Sequence, residues 1–300
     1  TPASGARPRS EPSTAELLPD DRESFEKMLF ETIEKLRPLH RKLGPPRRGD
    51  WLDQHSERGQ TFRQYLRSKP YIPDEKQNVI YIQPLGEFTP AHRRIVQLTA
   101  EFVELCFGFK VETKESLPIS LIPDSARRRH PTSGDEQILT GYVIENILKP
   151  RLPEDACAYV CLTSSDLWPG EGWNFVFGQA LIGGQLGVWS IYRFGDPTKS
   201  EEAFKKSLLR TLKIATHEIG HLFSFEHCIA YECNMCGTNH LDETDRYPLL
   251  LCPECVAKVC YLSRQHPLTH YRKLSKFCKQ NGLKDEHELY EKNIKALTER

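Results

Sequence analysis

The chain has 300 residues, of which 38% are hydrophobic and 27% charged, enough apolar material for one large packed domain or two small ones. Its 41 basic and 41 acidic side chains cancel, which removes the net field a nucleic-acid or anionic-membrane binder relies on. No apolar run approaches the roughly 20 residues a bilayer crossing needs.

Residues 1–20 are rich in Pro, Ser, Ala and charge and read as a flexible tail; lacking an apolar run, they carry no expected secretory signal. Residues 21–77 are expected to be an N-terminal wrap. In it Phe25, Met28, Leu29, Ile33 and Leu36 recur at helical spacing up to the stop at Gly44-Pro45-Pro46, and a loop-rich stretch follows to Gln77.

The main domain is expected over 78–262. Val79-Ile80-Tyr81-Ile82 reads as a buried strand, Pro90–Phe107 as a helix with Ile95, Leu98, Phe102 and Leu105 on one face, and Lys110–Glu112 as a strand. An extended Pro118–Ile122 and a basic loop Arg127-Arg128-Arg129 come next, then a helix over Gln137–Leu148. Ala156–Leu162, Asn174–Phe177 and Leu186–Phe194 read as further strands, which gives an α/β layered domain with a mixed sheet. Thr198 and Glu201 have capping-box spacing, and Phe204, Leu208, Leu212, Ala215, Ile219 and Leu222 mark one long half-buried helix up to Phe225. Residues 263–300 are charged and helical in pattern, and read as a solvated C-terminal extension.

The long helix carries His217-Glu218-Ile219-Gly220-His221. Residues four apart share a helix face, so both imidazoles can reach one ion, and Glu218 is placed to act on water rather than to bind metal. Catalytic zinc takes three protein ligands and keeps one position open. His227 supplies the third only if the chain turns back after residue 223, the logic of the longer metzincin motif. Met235 then has a suitable position for a turn beneath the imidazoles.

Ten cysteines remain to be explained, and six of them lie between 228 and 260. Clustering beside CxxC pairs favours thiolate–zinc ligation over disulfides, hence a reducing compartment: the cytosol, with the nucleus also open to such a protein. By spacing alone, Cys233-x-x-Cys236 with Cys252-x-x-Cys255 reads as a zinc ribbon.

These residues resemble the archaemetzincin family of metzincin zinc metallopeptidases, and its archaemetzincin-2 branch most. The likeness rests on His227-Cys228, Cys233-Asn234-Met235 and Cys252-Pro253-Glu254-Cys255, with further similarity at 166–168, 174–180 and 239–253 and a weaker match that starts near Trp51. The resemblance implies a metzincin-like fold, a mixed twisted sheet packed on a long active-site helix with a cysteine-rich, zinc-bound C-terminal subdomain. It implies two zinc ions, one catalytic on His217, His221 and His227 and one structural on Cys228, Cys233, Cys252 and Cys255. It also implies peptide-bond hydrolysis, of an aminopeptidase type on short peptides. Ser224 departs from the family, which has Gly where the helix ends.

The reading is a monomeric zinc metallopeptidase acting on peptide or protein substrates, with Glu218 as general base and the strand Leu186–Ile191 as the edge that receives substrate. Neither nucleic acid nor membrane is an expected partner, since Glu232, Asp242, Glu243, Asp245 and Glu254 outweigh Arg246 and Lys258 around the cysteines. The alternative is a catalytically weak or inactive zinc scaffold that binds protein partners, with Ser224 as its only support.

Overall fold

The computed structural model describes residues 18–299; residues 1–17 of the expected tail lie outside the described residues. The N-terminal stretch holds α1 (Arg22–Leu36), α2 (Trp51–Gln54) and α3 (Phe62–Arg67). Then follow β1 (Val79–Leu85), α4 (Pro90–Phe107), β2 (Lys110–Thr113), β3 (Arg127–Arg129) and β4 (Glu136–Leu139). Next come α5 (Thr140–Tyr142), continued by a π-helical stretch Val143–Leu148, and β5 (Ala156–Thr163), β6 (Asp166–Trp168), β7 (Gly178–Ala180) and β8 (Leu186–Ser190). The chain ends in α6 (Glu201–Leu222), α7 (Leu241–Arg246), α8 (Pro253–Ser263), α9 (Pro267–Gln280) and α10 (Lys284–Thr298). No helix among the described residues is long and apolar enough to cross a membrane.

The main sheet has the order β2-β1-β5-β8-β7, parallel except for β7, which runs antiparallel to β8. β1 and β5 are buried at every position, as central parallel strands covered on both faces must be. Ile80, Ile82, Val160, Leu162 and Trp189 face one core with α4 and α6; Tyr81, Tyr159, Cys161 and Val188 face a smaller one with the π-helical stretch. Thr89 caps α4 ahead of Pro90, and Gly108 ends it at φ +73°.

Several sequence expectations are corrected by pairing that no local pattern announces. Gln137 does not start a helix: it lies in β4, its buried amide bonded to Asp166 Oδ2 at 2.8 Å and Asn174 O at 2.9 Å, and the helix begins only at Thr140. The basic 127–129 loop is β3, antiparallel to β4, with Arg128 bonded to Gln137 at 2.8 Å. Pro118–Ile122 is not extended but contains a 3-10 turn, Ile119–Leu121. Asn174–Phe177 makes only an isolated bridge at Val176, and the strand starts at Gly178. Leu186–Ser190 is internal, and the edge strand on that side of the sheet is β7 instead.

The capping box at Thr198 is absent too. That hydroxyl bonds Asp196 at 2.6 Å, and Ser200 caps α6 through Ala203 N at 3.1 Å. The C-terminal helices are no solvated appendage: α9 packs on α4 through Phe277 and Phe102, rings 5.2 Å apart, and Tyr271, Cys278 and Tyr290 are buried.

Candidate active site

Helix α6 puts His217 and His221 one turn apart and stops where it must for His227 to return. Phe225 N–H bonds Gly220 O at 3.0 Å and Ser224 N–H bonds His221 O at 2.9 Å, the paired bonds of a Schellman ending. Ser224 therefore takes the left-handed position, φ +67°, where glycine would be free of strain. Its hydroxyl receives Tyr71 N–H at 3.4 Å and its carbonyl receives Gln60 Nε2 at 3.2 Å. The reversal brings the three imidazoles together, with ring centroids 4.6, 4.9 and 5.1 Å apart and ligand nitrogens within 4.8 Å of one another.

The outer nitrogens decide the tautomers. Nδ1 of His217 donates to Asn234 O at 3.0 Å and Nδ1 of His221 donates to Phe225 O at 2.6 Å. Each Nε2 is then a lone pair in the neutral ring, and the two Nε2 atoms stand 3.0 Å apart. Two acceptors facing each other repel unless a cation lies between them, so this donor set fits a metal ion. Burial, followed by the neighbouring imidazoles, holds His217 and His221 well below the usual histidine range, which keeps them in the ligating form. His227 Nδ1 instead faces Glu57 Oε1 at 2.8 Å, and that hydrogen bond is the main cause that lowers the Glu57 carboxyl to about 2.

Glu218 points into the same cleft, a space of about 580 Å³ bounded by α6, β7, the 234–239 segment and the N-terminal stretch at Trp51–Arg58. Burial pushes its carboxyl up to about 8. Gly178, the first residue of β7, lies against it. Met235 packs beneath Gly220, where a Cβ would meet its Sδ at 2.8 Å. Its carbonyl receives Cys228 N–H at 2.8 Å, so the turn at 233–236 steadies both His217, through Asn234, and the residue after His227.

Cys228, Cys233, Cys252 and Cys255 are buried with their sulfurs mutually within 4.8 Å. A tetrahedral zinc site with Zn–S near 2.3 Å has an edge of about 3.8 Å; Cys228 Sγ and Cys252 Sγ are 3.7 Å apart. Hydrogen bonds from the other thiols drive Cys228 well below the usual thiol range. Cys236 stands beside the group with its Sγ 3.2 Å from Tyr231 O. Among the described residues all ten cysteines are free thiols, and Cys106, Cys157, Cys161, Cys260 and Cys278 are buried ones.

A third donor group, Asp50, His240 and Glu243, went unnoticed in the sequence. Most of its carboxylate oxygens take protein donors: Asp50 Oδ2 takes Arg246 at 2.6 Å and Arg47 N at 2.8 Å, and Glu243 takes Trp51 N at 3.0 Å and Asn239 N at 2.8 Å, while Asp50 Oδ1 has no hydrogen-bond partner and stands 3.3 Å from His240 Nε2. It clasps the N-terminal stretch to α7. Trp51, Glu57 and Gly178 were equally missed as members of the site; similarity reaching back to Trp51 was the only signal for the first two.

Three imidazoles and a carboxylate meeting beside the antiparallel strand of a mixed sheet form a donor set that suits a metal ion next to a group able to act on water. The sequence profile of peptidase family M54 matches residues 155–260. Human archaemetzincin-2 is 35% identical over 244 residues, 70% of this chain and 66% of that protein. Mouse archaemetzincin-2 is 32% identical over 273 residues, 78% and 74% of the two chains. The crystal structure of archaemetzincin from Methanopyrus kandleri superposes with a TM-score of 0.50 at 26% identity, over 65% of this chain and 100% of that one. The chain belongs to the archaemetzincin family. It spans about two thirds of the length of the human relative, 66%.

Proposed function

We propose that this protein is a zinc-dependent peptidase. The carrying observation is the meeting of Glu218 with His217, His221 and His227 in one cleft, beside a free sheet edge. The family supports zinc; two ions, one on the imidazoles and a structural one on Cys228, Cys233, Cys252 and Cys255, is our reading of the two donor sets. When bound, zinc would polarise the scissile carbonyl and lower the pKa of water. Held in its ionised form by the positive charge beside it, Glu218 takes the proton of the attacking water on its carboxylate and delivers it to the leaving amine. A peptide would lie along β7, antiparallel to it, in the manner of strand addition. We further propose an aminopeptidase preference for short peptides, action as a monomer without nucleic acid or membrane, and residence in the cytosol or nucleus; the four clustered cysteines, read as zinc ligands, support a reducing compartment.

The inactive-scaffold alternative drew on Ser224 alone, and Ser224 takes the turn conformation that delivers His227. The test is peptide turnover by the zinc-loaded protein and by Glu218→Ala, with zinc content measured in both. Loss of turnover at unchanged zinc is expected; equal turnover would sink the general-base role. Peptides with free and acetylated amino termini separate the aminopeptidase reading from cleavage within a chain.

A further inference from the structure

His227 is the one imidazole of the three that no regular element fixes. His217 and His221 stand on α6, and the carbonyls that hold their outer nitrogens, Asn234 and Phe225, belong to the same compact stretch of chain. His227 lies past the helix end in irregular backbone, where ring rotation is restrained by side-chain partners only. Its Nδ1 meets a carboxylate rather than a carbonyl: Glu57 Oε1 at 2.8 Å, from a residue 170 positions earlier.

Glu57 is itself held. The same oxygen receives Trp51 Nε1 at 2.8 Å, and the Trp51 ring meets the His227 ring edge-on at 5.2 Å. Trp51 is anchored through its backbone to Glu243. Its ring stacks on His55 at 3.9 Å, and His55 lies parallel to Trp173 at 6.0 Å, which fastens the segment to the loop ahead of β7. On its other side, Thr61 and Gln64 form a capping box at α3, and Phe62 N–H bonds Glu254 Oε2 at 2.7 Å, between Cys252 and Cys255. The segment carrying Glu57 is thus tied down on both sides, to the cleft wall and to the cysteine cluster.

We propose that Glu57 is a positioning residue of the three-imidazole site, contributed by the N-terminal segment. By accepting the Nδ1 proton it fixes the tautomer and rotation of His227 with Nε2 directed inward, and its negative charge makes that ring a stronger donor. A carboxylate behind a ligating imidazole characteristically acts in this way and is worth roughly 10–100-fold in metal affinity. The inference rests on the reading of His217, His221 and His227 as metal ligands. It makes the stretch before β1 part of the site rather than a wrap around it.

The test measures zinc release from the loaded full-length protein to a coloured chelator. Wild type, Glu57→Gln and Glu57→Ala are compared, with His221→Ala to mark the release phase of the imidazole site. Glu57→Ala is expected to release that zinc about 10–100-fold faster. Glu57→Gln, whose amide oxygen still accepts the Nδ1 proton, should fall between alanine and wild type. The cysteine-bound phase and the thermal midpoint should not move. Wild-type release from both variants overturns the proposal. So does a parallel loss of both zinc phases and of thermal stability, which would mark Glu57 as merely structural. If His221→Ala removes no zinc phase, the ligand reading itself fails and takes this proposal with it, a result distinct from the other two.

Discussion

Gly178 lies so close to Glu218 that a Cβ at position 178 would stand 2.6 Å from the Glu218 Cδ. No methyl group fits there, and the carboxylate is the group that must yield. Gly178→Ala should displace Glu218 while leaving the imidazoles untouched. A shift near 1 Å in a reacting group costs about 100-fold in rate, so turnover should fall by roughly that factor at unchanged zinc content. Wild-type turnover in this variant would mean that Glu218 acts from another position.

Ser224 accepts left-handed strain to end α6. Ser224→Gly removes the strain at the cost of one long hydrogen bond, Tyr71 N to Ser224 Oγ at 3.4 Å. Relief of a left-handed side chain is worth about 1 kcal/mol, so denaturant unfolding should show a gain of that order, with turnover retained. A loss of stability would show that the hydrogen bond from Tyr71 N to the hydroxyl outweighs the strain.

The two cysteine sets make different predictions. Cys252→Ser should cost one zinc per chain and several kcal/mol, on the order of a 10 °C drop in thermal midpoint for a chain of this size. Cys236→Ser should keep the metal, because its sulfur bonds Tyr231 O at 3.2 Å and a hydroxyl can do the same. Zinc counting by mass spectrometry under native conditions decides it; zinc lost from Cys236→Ser would restore the ribbon pairing expected from spacing alone.

His270 gives the protein an acid-sensitive core. Burial lowers it to about 3, and the ring is 1% exposed. Between pH 6.5 and about 3 the unfolded chain binds a proton there that the folded chain does not, so stability rises with pH across that window and falls on acidification. The slope from this group approaches 1.4 kcal/mol per pH unit. Above pH 6.5 it contributes no slope. His270→Phe should flatten the dependence of stability on pH between 6.5 and 5 relative to wild type. Other acid effects, zinc release included, are shared by both proteins, so parallel curves would assign the slope elsewhere.

What was legible in the sequence is what repeats locally. The three- to four-residue period from Phe204 to Leu222 marks α6, and residues four apart on it meet. β1 and β5 announce themselves as unbroken apolar runs because parallel central strands are buried on both faces. Three-residue strands such as β6 and β7 carry no period at all and exist through their partners, which is why the edge was misassigned to Leu186–Ile191. The C-terminal helices misled through charge: Tyr271, Leu274 and Cys278 form a buried stripe, yet Lys and Glu dominate the remaining positions. Trp51 and Glu57 were invisible for a different reason. Their partners, Glu243 and His227, lie 192 and 170 residues away, and a single carboxylate in a loop has no spacing to read.

The edge of the main sheet beside the cleft has a reach that can be measured. β7 is three residues long, and at about 3.3 Å per residue it offers roughly 10 Å of backbone to pair with. A peptide laid there gains at most a couple of main-chain hydrogen-bond pairs before the chain departs at Leu181. Affinity for a long extended segment therefore has no ladder to build on. Recognition falls to the few side chains nearest the bond being cut, so extending a substrate beyond that span should bring little tighter binding.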